Sequence, residues 1–326
     1  MDASYPWSGQ DACFDMAGLA VSCAGSGQDG EYRPGRPWPD PRFEVVADGL
    51  VKDRLTGLFW PKSANPAGWP LTFPEATALV RDWNAQGLFG RDDWRLPLRR
   101  ELLSLVSLVH ARPALPPGHP FVDVFQHWCW TGSASAVAPG YAWRVHLEGG
   151  RMFPGPGDAA HLVWPVSGTS WLLPEASNPE LLTRFSQSGE EVCDRLTGLV
   201  WARRILPETG ETNWGEALEM ARQAARQEGN PWRLPTIWEL ESLADVSRAW
   251  PALPQDHPFE GIGPAPGNGR LGDIGLWSGT TSGYDPAWAW VLYAGKGAVG
   301  VGHKQGGRFQ FLLTRGQARK GPSATP

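Results

Sequence analysis

Apolar and polar positions along this chain run through one programme twice. Asp53-Arg54-Leu55-Thr56-Gly57-Leu58-Phe59-Trp60 returns as Asp194-Arg195-Leu196-Thr197-Gly198-Leu199-Val200-Trp201. Asp-x-x-Thr-Gly between apolar residues predicts a hairpin turn in which glycine takes the positive φ. A helix follows in each copy. Ala76, Leu79, Val80 and Trp83 fall on one face at helical spacing, with Thr72 and Glu75 as a capping box. Asn213 and Glu216 take the cap roles in the second copy, ahead of Ala217, Met220, Ala221 and Ala224. Trp94-Arg95-Leu96-Pro97 and Trp232-Arg233-Leu234-Pro235 then start a second helix, with proline in its first turn. Leu102, Leu105 and Val106, and in the second copy Leu240, Leu243 and Ala244, face inward there. Short strands are expected around Trp130, Trp143 and Val163, and around Trp277, Trp290 and Phe311.

Further matches keep the same order. Pro113-Ala114-Leu115-Pro116 with His119-Pro120-Phe121 matches Pro251-Ala252-Leu253-Pro254 with His257-Pro258-Phe259, and Ala142-Trp143 matches Ala289-Trp290. Chance does not preserve order over so many segments, so the chain is a tandem duplication. The expected plan is a cysteine-containing leader over 1–40, a first repeat over 41–172, a linker over 173–182, a second repeat over 183–316 and a disordered tail over 317–326. Two helices followed by an antiparallel sheet of short strands make each repeat α+β.

Composition narrows the function class. The chain has 326 residues, right for two domains, and its 41% hydrophobic and 19% charged residues describe a globular protein. A net charge of −5 argues against nucleic acid, which needs a basic surface. No apolar run is long enough to span a membrane. Met16 to Val21 is too short, and lacks the preceding basic residues, for a signal peptide; the chain is read as cytoplasmic or as the product of signal removal. The 19 tryptophans fill cores, but they also stack on sugars and anchor interfaces. Cys13, Cys23, Cys129 and Cys193 contain no C-x-x-C pair. An even count permits two disulfides, with the connectivity open, and Cys13 and Cys23 are close enough to close a small loop.

The set of motifs resembles the domain family named after the C-terminal domain of the Legionella collagen-like adhesin. Thr56-Gly57-Leu58-Phe59-Trp60 and Trp94-Arg95-Leu96-Pro97 carry the resemblance, with their second-copy equivalents, and the segment from Cys13-Phe14-Asp15 to Cys23 and Gly30 is similar to the leader of secreted members. The resemblance implies a C-type-lectin-like fold, shared with formylglycine-generating enzymes, and a secreted, periplasmic or cell-surface place. The adhesin binds sulfated polysaccharides such as glycosaminoglycans. Fold alone does not fix function.

Ligand-binding chemistry is expected where the copies differ, because residues common to both are expected to serve turns, caps and core. Trp130, Trp143, Trp277 and Trp290 are shared and read as core, whereas Trp128, Arg144, His146 and Trp288 are expected to bind ligand. His161, the Gly-rich stretch from Gly261 to Gly275 and the leader also differ or stand alone. Asp92-Asp93 leaves room for calcium, but the second copy has Asn230-Pro231 there and no cofactor is expected. Arg95 and Arg233 are expected in structural ion pairs, with Glu101 and Glu239 or with Asp53 and Asp194. His119 and His257 are read as hydrogen-bond donors in turns. Gly295 to Gly300 satisfies G-x-G-x-x-G outside a βαβ unit and reads as a strand turn. No nucleophile, base and orienting acid assemble from spacing. The expectation is a non-enzymatic binding protein for a polysaccharide or a protein surface. The alternatives are a self-assembling structural subunit and an enzyme related to the formylglycine group.

Overall fold

The computed structural model describes residues 5–173, 184–263 and 274–316. The expected linker beyond Leu173, the expected tail and most of the Gly261–Gly275 stretch lie outside those residues.

Each copy opens on a small antiparallel sheet. In the first it is β3 (Phe43–Ala47), β4 (Leu50–Asp53) and β5 (Phe59–Pro61). Its turn is held by one carboxylate: Asp53 accepts from the Leu55 amide and the Thr56 hydroxyl, and pairs with Arg42 through two contacts of 3.0 Å. In the second copy, β9 (Phe185–Ser188), β10 (Glu191–Asp194) and β11 (Val200–Ala202) repeat the arrangement, and Asp194 pairs with Arg184. The repeated Asp motif thus serves its own turn and an arginine upstream. That leaves Arg95 and Arg233 to Glu101 and Glu239, at 2.6 and 2.7 Å.

Helix α2 (Phe73–Gln86) begins at Thr72 with its capping box, and α4 (Trp214–Glu228) begins at Asn213 in the same way. The shorter helices are α3 (Arg99–Leu105) and α5 (Ile237–Ser242). Proline lies just ahead of each of these and not in its first turn, because Leu98 and Thr236 are the N-caps. Glu101 and Glu239 therefore do two jobs: each accepts from its N-cap amide and from the motif arginine.

The remaining strands build the centre of the molecule. β6 (Trp128–Ala134), β7 (Tyr141–His146) and β8 (Met152–Pro156) form one antiparallel meander. β12 (Gly275–Thr281), β13 (Trp288–Tyr293) and β14 (Ala298–His303) form the other. β8 and β14 pair antiparallel, so the two meanders are one six-stranded sheet. The junction sets Met152 opposite Val299, which is the same position of the motif in the two copies. Equivalent residues face each other, as in an isologous dimer interface.

The core follows that geometry. Its largest cluster mixes Leu102, Trp143 and Met152 with Leu240, Trp290 and Val299. Separate clusters lie under the long helices, Trp130 with Ala76 and Val80, and Trp277 with Trp214 and Ala217. The four shared tryptophans are 0–1% exposed.

Polar residues at the junction break the repeat. Arg99 and Arg100 of α3 both reach Glu241 of α5, at 2.6 and 2.7 Å, and none of the three side chains is more than 3% exposed. Arg100 also donates to the Glu241 and Ala244 carbonyls, Arg99 to that of Gly297. The equivalent positions are Ile237, Trp238 and Leu103, so the ion cluster occurs once, across the two copies.

The leader crosses to the second copy. Its hairpin, β1 (Cys13–Phe14) and β2 (Ala20–Val21), is closed by the Cys13–Cys23 disulfide. Tyr5 donates to Glu239 and Thr280 donates to Asp29, both at 2.7 Å, and Gln10 accepts from the Thr281 amide. Lys304 Nζ lies 4.0 Å from the Trp214 ring centroid and donates to the carbonyls of Phe14 and Asp15. A second disulfide does not form. Cys129 sits in β6 and Cys193 in β10, strands of separate sheets, and both remain thiols. Burial pushes the Cys129 thiol up to about 12, which removes it as a nucleophile.

Candidate functional site

Three of the four expected ligand-binding residues meet on the first copy's half of the central sheet. Trp128 on β6 stands opposite His146 on β7, and their rings are edge to face at 4.8 Å. The Arg144 guanidinium lies 4.6 Å from the centroid of the same indole. It also lies against Gly155 of β8, where a Cβ would come within 2.6 Å of Cζ, so a larger residue there would push the guanidinium aside.

Behind Arg144 is His161, 6% exposed, whose Nε2 is 2.5 Å from an Arg144 amino nitrogen. Burial, with the positive charges of Arg144 and His127 added, lowers the His161 pKa to about 4. The imidazole is therefore neutral near pH 7. Accepting through Nε2 places its proton on Nδ1, which is buried without a partner, as is Arg144 Nε. Two donors without acceptors, beside a half-buried cation with no carboxylate in reach among the described residues, leave unmet hydrogen-bonding capacity at this spot. His146 is likewise held below its ordinary value, by burial and then by Arg151.

The second copy fills the same place with carbon. His161 corresponds to Phe309, which packs edge to face on Trp277 as His161 does on Trp130. Arg144 corresponds to Val291 and Trp128 to Gly275, and a Cβ on Gly275 would strike the Phe309 ring.

Trp288 stands apart from the three. It lines a groove of about 550 Å³ on the junction between the copies, beside Tyr284 and Asp285 and facing Phe153 and Arg151. Phe153 links the two places, with its ring 6.4 Å from Trp128 and 5.9 Å from Tyr293. Sequence reasoning missed Phe153, Tyr284 and Tyr293. The signal for Phe153 was a difference between copies, since its counterpart is Gly300.

Other expectations find their places. Asp93 accepts from Ser167 and the Gly168 amide, and among the described residues no three His, Cys, Asp or Glu side chains gather as metal ligands. The His119 and His257 rings lie stacked on Phe121 and Phe259, at 27° and 25°, with Nδ1 unpaired in each. His119 also hydrogen-bonds the backbone of Phe121, in the donor role expected of it. Among the described residues no helix is long and apolar enough to cross a membrane.

The family model for the Lcl C-terminal domain matches the chain twice, over residues 49–167 and 190–314. A comparison with curated proteins finds no match.

Proposed function

Since the chain belongs to the Lcl C-terminal domain family, carried in two copies, we propose that it is a non-enzymatic binding protein of the adhesin kind, acting outside the cytoplasm on a polysaccharide. The supporting observation is the divergence between copies at one spot. The first copy keeps a flat guanidinium, an indole and two imidazoles where the second is packed with Val291, Tyr293 and Phe309. A packed core would cost less there, so the polar set is retained for something outside the fold. Sugar rings take an aromatic face together with hydrogen-bond donors, and Trp128 with Arg144 and His146 offers both. The groove beside Trp288 extends this surface over the junction, so a chain-like ligand would touch both copies. The disulfide-closed leader agrees with an oxidising compartment.

The test is a glycan array with the full chain and with Trp128→Ala and Trp288→Ala. Binding should fall about tenfold or more on loss of either indole. An array without hits, or hits insensitive to both substitutions, overturns the reading.

A second reading, a subunit of an extracellular assembly, is favoured by edge strand β3, which exposes Val45 (52%) and Val46 (40%). Size-exclusion chromatography over a concentration series tests it: growth in apparent mass supports the reading, and a constant monomer refutes it.

A further inference from the structure

The leader occupies a seat on the second copy, and among the described residues nothing fills the same seat on the first copy. On the second copy, Met16 of the leader rests against Gly215, beside Trp214, and Gly18 against Pro286 and Ala287. Lys304 and Gln305 donate to the carbonyls of Phe14, Asp15 and Met16. The corresponding first-copy residues are Phe73 and Pro74, Pro139 and Gly140, Gly157 and Asp158. Those residues line two contiguous hollows of about 450 and 570 Å³, open to solvent. The apolar floor is kept, with Phe73 for Trp214.

The charge is not kept. Lys304, the donor that holds the leader's carbonyls, becomes Gly157, and Gln305 becomes the exposed carboxylate Asp158. A segment fitting this seat must bring its own cation where the leader brings bare carbonyls. We infer that the first-copy seat receives a hairpin from a partner protein, shaped like this chain's leader but with lysine or arginine at its turn. The chain's own leader is excluded as occupant by its buried anchors on the second copy, Tyr5 to Glu239 and Asp29 to Thr280.

The probe is a synthetic peptide of residues 11–24, closed by its disulfide, with Ala17→Lys at the turn; the comparison peptide has the native sequence. Ala17 is exposed, and its replacement leaves the Asp15 side chain to cap the turn. Calorimetric titration into the full chain should show one-to-one binding of the lysine peptide, about fivefold tighter than the native peptide. Asp158→Lys should abolish that preference. Ala134→Arg, at an exposed position on the rim of the hollow, should abolish binding while leaving the thermal transition in place. Absence of heat for both peptides at about 1 mM, or binding that survives Ala134→Arg, overturns the inference.

Discussion

Glu241→Leu removes the shared partner of Arg99 and Arg100 at a site where no side chain is more than 3% exposed. Two guanidiniums are then left buried. The acceptors that stay in place include the neutral carbonyls of Gly297 for Arg99 and of Leu173, Glu241, Ser242 and Ala244 for Arg100. Breaking a buried ion pair by removing one member typically costs about 3–5 kcal/mol. For a chain of this size that corresponds to a fall in Tm of roughly 4–7 °C. Equilibrium urea unfolding measures it, with tryptophan fluorescence and far-ultraviolet circular dichroism as independent probes. The two probes should coincide in one transition, because the largest core cluster draws on both copies. A double-mutant cycle with Arg99→Leu isolates the pair and should give a coupling of about 1–3 kcal/mol. A single-variant loss below about 1 kcal/mol, or a coupling near zero, would refute the assignment of the cluster as the clamp between copies.

Three further outcomes follow from the same structure. His161 titrates at about 4 in the fold against an ordinary 6.5, so the unfolded chain binds more protons between those values; stability should fall as pH drops through that window, and His161→Phe, the second copy's own choice, should remove this contribution to the slope in pH-resolved melts. Burial likewise lowers Lys304 to about 7 from 10.5, so stability should climb as pH rises across that range, and Lys304→Met should flatten the climb. Reduction of Cys13–Cys23, which lie 10 residues apart, should cost about 3 kcal/mol by loop entropy and raise the titratable thiols in denatured protein from two to four; unchanged unfolding after reduction would show that the leader's anchors suffice alone.

Much of each copy was legible because turns, caps and helix faces are local. Asp-x-x-Thr-Gly, the capping boxes at Thr72 and Asn213 and the buried tryptophans are each encoded within a few residues. The pairing of β8 with β14 was not legible: Met152–Pro156 and Ala298–His303 carry no mark that they meet each other and not solvent. Arg42 escaped notice because it stands 11 residues before Asp53, whereas Arg184 stands 10 before Asp194; a bulge between Val45 and Ala47 absorbs the difference. Comparing copies found Trp128, Arg144, His146 and His161, but the same filter passed over Arg99, Arg100 and Glu241. Divergence marks any place where the two halves have unequal surroundings, and a junction is such a place as surely as a ligand site.

The facing of Met152 by Val299 bears on how such a chain can change. Two separate single-copy chains could meet in the same way, but every substitution would then appear on both sides of the axis. Arginines at 99 and 100 would bury themselves against leucine at 103 on both sides, with no acid to meet them. Joining the halves in one polypeptide lifts that constraint: a cation can be placed on one side and its anion on the other, one seat can keep the leader while its twin is released, and one half can remain a scaffold while the other acquires chemistry.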